Sequence, residues 1–398
     1  MTVGVAGDTL VLGVETSCDE TGVAIVADGT QIRSNVVASS EEFHRRFGGI
    51  VPEIASRKQV EVIGAVARQA LVEAGVDFPD LAAVAVTYAP GLVGSLVVGV
   101  CFAKAIAFAR RLPLVAVHHI EAHIYAHFLA AEAQPRAAVP HSRGPASRAP
   151  EPRAQGTSPG ATVPHDVAPA PFPFLALVVS GGHSDLVAVR AHGDYQVLGR
   201  TRDDAAGEAF DKGARLLGLG YPGGPAIDEA ARGGNPNAVS FPRAAISGAS
   251  GQETQAGAPV LHARWDFSFS GVKTALARYM RETAAAQRLD RLSVEDLAAS
   301  YQEAVVEPLV EKSLAAALSL GFQRLLVAGG VANNSRLRAL MAQRSAEAGI
   351  EARFPRPQLC TDNGAMVASA GYFRYQRGEV AALDLDAYAS AKLDRRRR

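Results

Sequence analysis

Short apolar runs alternate with longer amphipathic stretches along the chain, a pattern that predicts an α/β protein. Residues 10–14 and 22–26 are apolar runs around a polar turn at 15–21, which predicts a hairpin with an exposed loop. A helical period follows over 52–71, then a short strand at 82–87, a turn at 89–94 and a helix over 95–109. A buried strand at 114–117 continues into a helix over 118–129. The strand–turn–strand pattern restarts at Phe174, with an apolar run at 175–179, a small-residue turn at 180–183 and a second arm at 185–189. A further strand at 324–327 ends in a glycine turn, and a polar turn at 361–364 leads into an Ala-rich helix. The stretch 265–271, with Phe267 and Phe269 in alternation, reads as a packed strand. Two similar hairpins imply a duplicated lobe and a cleft between the halves.

Composition interrupts this pattern twice. Residues 132–171 are rich in Pro, Ala, Arg, Ser and Gly and nearly free of large apolar side chains, so they are expected to form a disordered insertion. A shorter segment, 244–259, reads the same way, and the basic tail at 395–398 reads as frayed and solvated. The expected organisation is a first lobe over 10–131, an insertion over 132–172, a second lobe over 173–375 and a C-terminal segment over 376–398.

The 398 residues are 48% hydrophobic and 20% charged, which excludes a wholly disordered chain. Lys+Arg and Asp+Glu both number 40, which excludes a polybasic coat but not a local basic groove. The three cysteines, Cys18, Cys101 and Cys360, have no metal-finger spacing and suit a reducing compartment. No uncharged apolar run of about 18 residues appears, so no membrane span is expected. The first ten residues carry Asp8 and lack a basic cap before an apolar stretch, unlike a signal segment. The expected location is the cytoplasm.

Chemistry concentrates at 118–123, HHIEAH. His119 and His123 are four apart, so on a helix they share one face and can ligate one metal. Two core histidines would show the same spacing. A zinc-protease helix needs Glu beside its first His, and Ile120 stands there instead. The best further donor is Asp362, whose competing reading is an N-cap for the helix that follows. Glycine turns at 180–182, 223–224 and 329–330 could each admit a phosphate, and Asp211 could hold a ribose hydroxyl. The carboxylates of Asp203 and Asp204 read equally as a solvated face.

In order, the chain carries GVETSCDETGVAIV (13–26), FGGIVPEIASR (47–57), APGLVGSL (89–96), HHIEAH (118–123) and VSGGHSDL (179–186). It continues with DDAAGEAFDKGARLLGLGYPGGPAID (203–228), DFSFSGVKTA (266–275), AGGVANN (328–334) and CTDNGAM (360–366). These motifs resemble the tRNA adenosine threonylcarbamoyltransferase family, long mislabelled as O-sialoglycoprotein endopeptidases, and the ETSCDET form resembles its bacterial and organellar branch. The resemblance implies an actin/Hsp70/sugar-kinase-like fold of two α/β lobes. It implies transfer of threonylcarbamoyl from threonylcarbamoyl-AMP to N6 of adenosine 37 in tRNAs reading ANN codons. It also implies one divalent metal held by His119, His123 and Asp362, iron before zinc. Val178, Val179, Ser180, Gly181, Gly182, Asp211, Gly224, Asp228 and Asn334 would bind the adenylate. Asp19 and Glu20 are candidates for positioning or deprotonating the amine. Implied partners are a small paralogue, forming a heterodimer, and an accessory ATPase.

Ala122 and Gln59 depart from the family pattern, standing where many relatives carry Gly and His. Two other readings keep the fold: a phosphotransferase or ATPase, which would not need the histidine pair, and a non-catalytic scaffold, expected to have lost it.

Overall fold

The hydrophobic pattern folds into two five-stranded sheets. The computed structural model describes residues 8–130, 170–243, 265–285 and 292–393. Both expected insertions, apart from residues 170–171, and the 395–398 tail lie outside the described residues.

In the first sheet, β1 (Leu10–Glu15), β2 (Glu20–Ala27) and β3 (Gln31–Ser39) form an antiparallel meander. β4 (Leu81–Ala89) and β5 (Leu114–His118) add in parallel beyond β1, giving the order β3-β2-β1-β4-β5. The second sheet repeats the plan. Its meander is β6 (Phe174–Val179), β7 (Ser184–Ala191) and β8 (Asp194–Arg200), and the parallel strands are β9 (Arg324–Ala328) and β10 (Glu351–Arg353). The duplication expected from the two hairpins is therefore present strand for strand.

Helices make three layers around the two sheets. The short α1 (Glu41–Arg45) precedes α2 (Pro52–Ala74), which with α3 (Val93–Arg110) covers the outer face of the first sheet through Leu12, Val14, Val84 and Val86. α5 (Ala206–Leu217), α6 (Gly223–Ala230), α7 (Ser270–Ala285), α8 (Val294–Leu320) and α9 (Ser335–Glu347) cover the outer face of the second. Between the sheets lie α4 (His119–Tyr125) and, after the one-turn α10 (Pro357–Cys360), α11 (Gly364–Gln376). Their apolar residues share one core with Val11 and Ala24 of the first sheet and Phe174, Ala176 and Val178 of the second.

α11 packs on β1, β2 and β4 of the first sheet. Its close approach explains a glycine: a Cβ on Gly13 would sit 2.2 Å from the Gly364 carbonyl oxygen. The strand expected at 265–271 is corrected. Only an isolated bridge joins Phe267 to Thr201, and α7 begins at Ser270. The Asp203 carboxylate accepts from the backbone N–H groups of Phe269 and Ser270 and from the Ser268 and Ser270 hydroxyls, which starts a helix where alternation suggested a strand. Phe267 and Phe269 are nonetheless buried.

Among the described residues, α3 alone is long and apolar enough to cross a membrane. One of its faces, with Leu96, Val100 and Ala103, packs into the core of the first lobe.

Candidate functional site

The carboxyl ends of β1, β5 and β6 open on one crevice, the place where ligands gather on open α/β sheets. β1 ends at Glu15 and turns through Thr16, Ser17 and Cys18 into Asp19. β5 ends at His118, whose Nδ1 accepts from Ile120 N at 3.2 Å and so caps α4. Burial holds His118 neutral, down at about 4.

The next residue, His119, opens α4, and His123 follows one turn later on the same face. Asp362 faces both: its Oδ1 lies 3.7 Å from His119 Nε2 and 3.2 Å from His123 Nε2. One ligand atom from each of the three lies within 4.8 Å of the others. The N-cap of α11 is Asn363, whose Oδ1 accepts from Met366 N at 3.1 Å, so Asp362 is released from the capping role.

Two observations fit this trio to a cation. His123 is fully buried, yet neither ring nitrogen has a hydrogen-bond partner, since the approach of Nε2 to Asp362 lacks hydrogen-bond geometry. His119 Nδ1 donates to Glu15 Oε2 at 3.3 Å and lies 3.1 Å from Ser17 Oγ, which leaves Nε2 to face Asp362 as a ligand atom. Thr87 Oγ1 donates to the same Glu15 oxygen at 2.6 Å and fixes that carboxylate. Burial disfavours a charged His119, but the carboxylates of Asp362 and Glu15 outweigh it and raise the ring to about 9. Burial likewise acts against charge on Asp362, yet His119 and His123 hold it well below the usual carboxylate range. The pocket therefore favours positive charge between its carboxylates.

Two further histidines, His127 and His183, are kept neutral by burial. His127 lies in a 3-10 turn, bonds the Val327 carbonyl at 3.1 Å and is held by burial at about 3. His183, from the β6–β7 turn, approaches the His119 ring at 5.8 Å between centroids and is kept neutral by burial, at about 3.

The adenylate candidates gather on the second lobe. Val178 and Val179 are buried in β6, and the turn Ser180–His183 closes through Ser180 N to His183 O at 2.9 Å. Gly181 and Gly182 face open space. Asp211 Oδ1 accepts from Gly223 N at 2.7 Å, fixing the turn that carries Gly224. Asp228 accepts from Gln302 Nε2 at 2.6 Å and Ser335 Oγ at 2.8 Å, tying α6 to α8 and α9. Asn334 Oδ1 caps α9 through Leu337 N, while its buried Nδ2 has no partner.

The first-lobe loop faces this group across the crevice. Burial first, and then the charges of Asp19 and Asp362, raise Glu20 well above the ordinary carboxylate range. Tyr221, on the opposite lobe, is raised by burial and by the negative field of Asp19 and Asp211. Gln59 Nε2 donates to the carbonyls of Cys18 and Glu20 at 2.9 and 3.0 Å, so this departure from the family pattern holds the loop in place.

Sequence reasoning had not singled out Glu15, Ser17, Thr87 or His183. A carboxylate at the end of an apolar strand, as at Glu15, was the one available signal.

Fold and site define a class: two-lobed α/β proteins with a histidine–carboxylate group that could hold a metal ion between the lobes. A family model described as tRNA N6-adenosine threonylcarbamoyltransferase matches residues 31–144 and 161–369. The enzyme of that name from Caldicellulosiruptor saccharolyticus is 46% identical over 378 residues, 95% of this chain and 96% of that one. The Bacillus cereus enzyme is 46% identical over 381 residues, 96% of this chain and 95% of its own. The chain belongs to the tRNA N6-adenosine threonylcarbamoyltransferase family. The crystal structure of T. kodakarensis HypF shares the fold, with a TM-score of 0.53 at 14% identity over 95% of this chain and 49% of that one.

Proposed function

We propose that this chain transfers a threonylcarbamoyl group from threonylcarbamoyl-AMP to N6 of adenosine 37 in tRNAs that read ANN codons. The observation that supports it most is the approach of buried His119 and His123 and half-buried Asp362 to the 180–183 turn, where Gly181 and Gly182 face open space.

The exocyclic amine of adenosine attacks the carbamoyl carbon, a nitrogen–carbon bond forms, the carbon–oxygen bond to AMP breaks, and the amine loses a proton. His119, His123 and Asp362 would hold a divalent metal, iron before zinc, that polarises the carbonyl and orients the threonyl end. The Ser180–Gly182 turn, held at the end of β6 by Val178 and Val179, receives the phosphate against small residues, which supplies proximity and steadies the departing charge. Asn334 Nδ2, buried without a partner, is a donor for the adenylate. Asp211 and Asp228 frame the ribose side by fixing the Gly223–Gly224 turn and the start of α9. Glu20, whose carboxyl is raised by burial and by the charges of Asp19 and Asp362, is in its ionised form a stronger base than an ordinary carboxylate and takes the amine proton, with Asp19 beside it.

The reading includes a small paralogous partner and an accessory ATPase, with the work done in the cytoplasm. Exposed Val93, Val97 and Phe108, on one face of α3, offer apolar side chains to such a partner.

The deciding assay follows labelled threonylcarbamoyl from the adenylate to unmodified ANN-decoding tRNA with partners supplied. Product with the natural chain, and a loss of 100-fold or more (on the order of one transition-state contact) with His119→Ala and His123→Ala, is expected. Full activity in both variants would remove the metal from the mechanism.

A further inference from the structure

The trio is divided between α4 and the turn that leads into α11, and α4 is too short to set its own orientation. It has seven residues, whereas isolated helices below about 12 residues are marginal in water. Its rotation about its axis must therefore be imposed by tertiary contacts. His119 and His123 project from one face, and Glu121, two residues after the first, projects about 200° around the axis.

Glu121 is completely buried, which a carboxylate tolerates only when fully paired. Its Oε2 accepts from Arg374 Nη1 at 2.6 Å, and its Oε1 accepts from Tyr195 Oη at 2.9 Å. Arg374 sits in α11, the helix that Asp362 precedes by two residues, and its Nη2 lies 2.9 Å from Glu379. Tyr195 stands on β8 of the second sheet, 3.3 Å from the hydroxyl of Tyr125, which bonds His192 at 2.8 Å. The helices α4 and α11 are thus joined twice, by the ion pair on one side of α4 and by the histidine–aspartate convergence on the other. A buried ion pair gives little net stability over a well-packed apolar pair, so the worth of this one lies in the orientation it enforces.

We propose that Glu121, held by Arg374 and Tyr195, is a positioning residue that sets the rotation of α4 against α11 and thereby the spacing of His119, His123 and Asp362. The inference rests on reading those three residues as a metal site.

The test uses Co(II) as probe with the full chain, titrated by visible absorption and by competition with a chelator. Wild type is compared with Glu121→Gln, Tyr195→Phe and His119→Ala. Glu121→Gln is expected to weaken Co(II) binding by about 10- to 100-fold and to shift the ligand-field bands. Tyr195→Phe should move both in the same direction by less, with far-UV circular dichroism unchanged. Wild-type affinity and bands in both variants would overturn the proposal. If Glu121→Gln fails to fold, Tyr195→Phe, which leaves Arg374 paired, decides alone. A wild-type chain that binds Co(II) no better than His119→Ala would instead defeat the metal reading, and this inference with it.

Discussion

Gln59 is buried on α2 and uses one amide nitrogen to hold two carbonyls of the loop that presents Asp19 and Glu20. Gln59→Ala leaves the Cys18 and Glu20 carbonyls without that donor, which costs about 1–3 kcal/mol. Single-turnover transfer should slow more than donor binding weakens, because the loop loses its register against the opposite lobe. An unchanged single-turnover rate would show that the loop holds itself. Asp185 makes a second prediction. Burial, only partly offset by Arg200, raises its carboxyl to about 6. Ionising it in the folded chain is therefore unfavourable: the stability it allows is complete below the unfolded aspartate range and is lost as pH rises through about 6. Asp185→Asn should raise the thermal midpoint at pH near 7.5, by up to about 2–3 kcal/mol of stability, and give no gain near pH 4. Equal gains at both pH values would mean that packing, not charge, is responsible. Residue roles were unevenly legible. The i,i+4 spacing exposed His119 and His123, because helical geometry is local. Glu15 was hidden because its partners, His119 and Thr87, are separated from it by 104 and 72 positions.

At the scale of elements, the apolar runs and glycine turns placed β1, β2, β4, β5, β6 and β7 within a few residues of their observed limits. β8 and β3 escaped because polar and apolar residues mix along these strands, as the burial of β3 shows. The stretch 265–271 was misread because a helix start imposed by Asp203, more than 60 positions away, leaves no trace in local alternation. The docking of α11 is equally nonlocal, and it yields a contrast between two glycines. Gly13→Ala would drive a Cβ to 2.2 Å from Gly364 O and 2.4 Å from Ala368 N, both backbone atoms that cannot move alone. A loss of about 3 kcal/mol or more is expected, at the upper end of overpacking costs. Gly64 lies mid-way along α2 with nothing within 4 Å of its missing Cβ. Gly64→Ala should stabilise by about 0.5–1 kcal/mol through helix propensity. Chemical denaturation of both variants checks the pair, and similar midpoints would show that α11 does not press on β1 as described.

For the molecule as a whole, a duplicated fold invites the expectation that each half unfolds on its own. The packing argues otherwise. The layer of α4 and α11 belongs to both sheets, so neither lobe can open without exposing Val11 and Ala24 on one side and Phe174 and Ala176 on the other. The chain after α11 returns along the first lobe, bonding Ala381 N to Leu114 O at 2.7 Å and Tyr388 N to Tyr88 O at 3.0 Å, and Leu393, the last described residue, is buried in the shared core. The single tryptophan, Trp265, is buried in the outer core of the second sheet and reports on one lobe alone. Far-UV circular dichroism reports on both. Denaturant unfolding followed by the two signals should give coincident midpoints, the mark of one cooperative unit. A tryptophan transition separated from the dichroism transition would mean that the shared layer detaches from the second sheet first. The metal-ligand trio would then survive, through α4 and α11, on the first lobe alone.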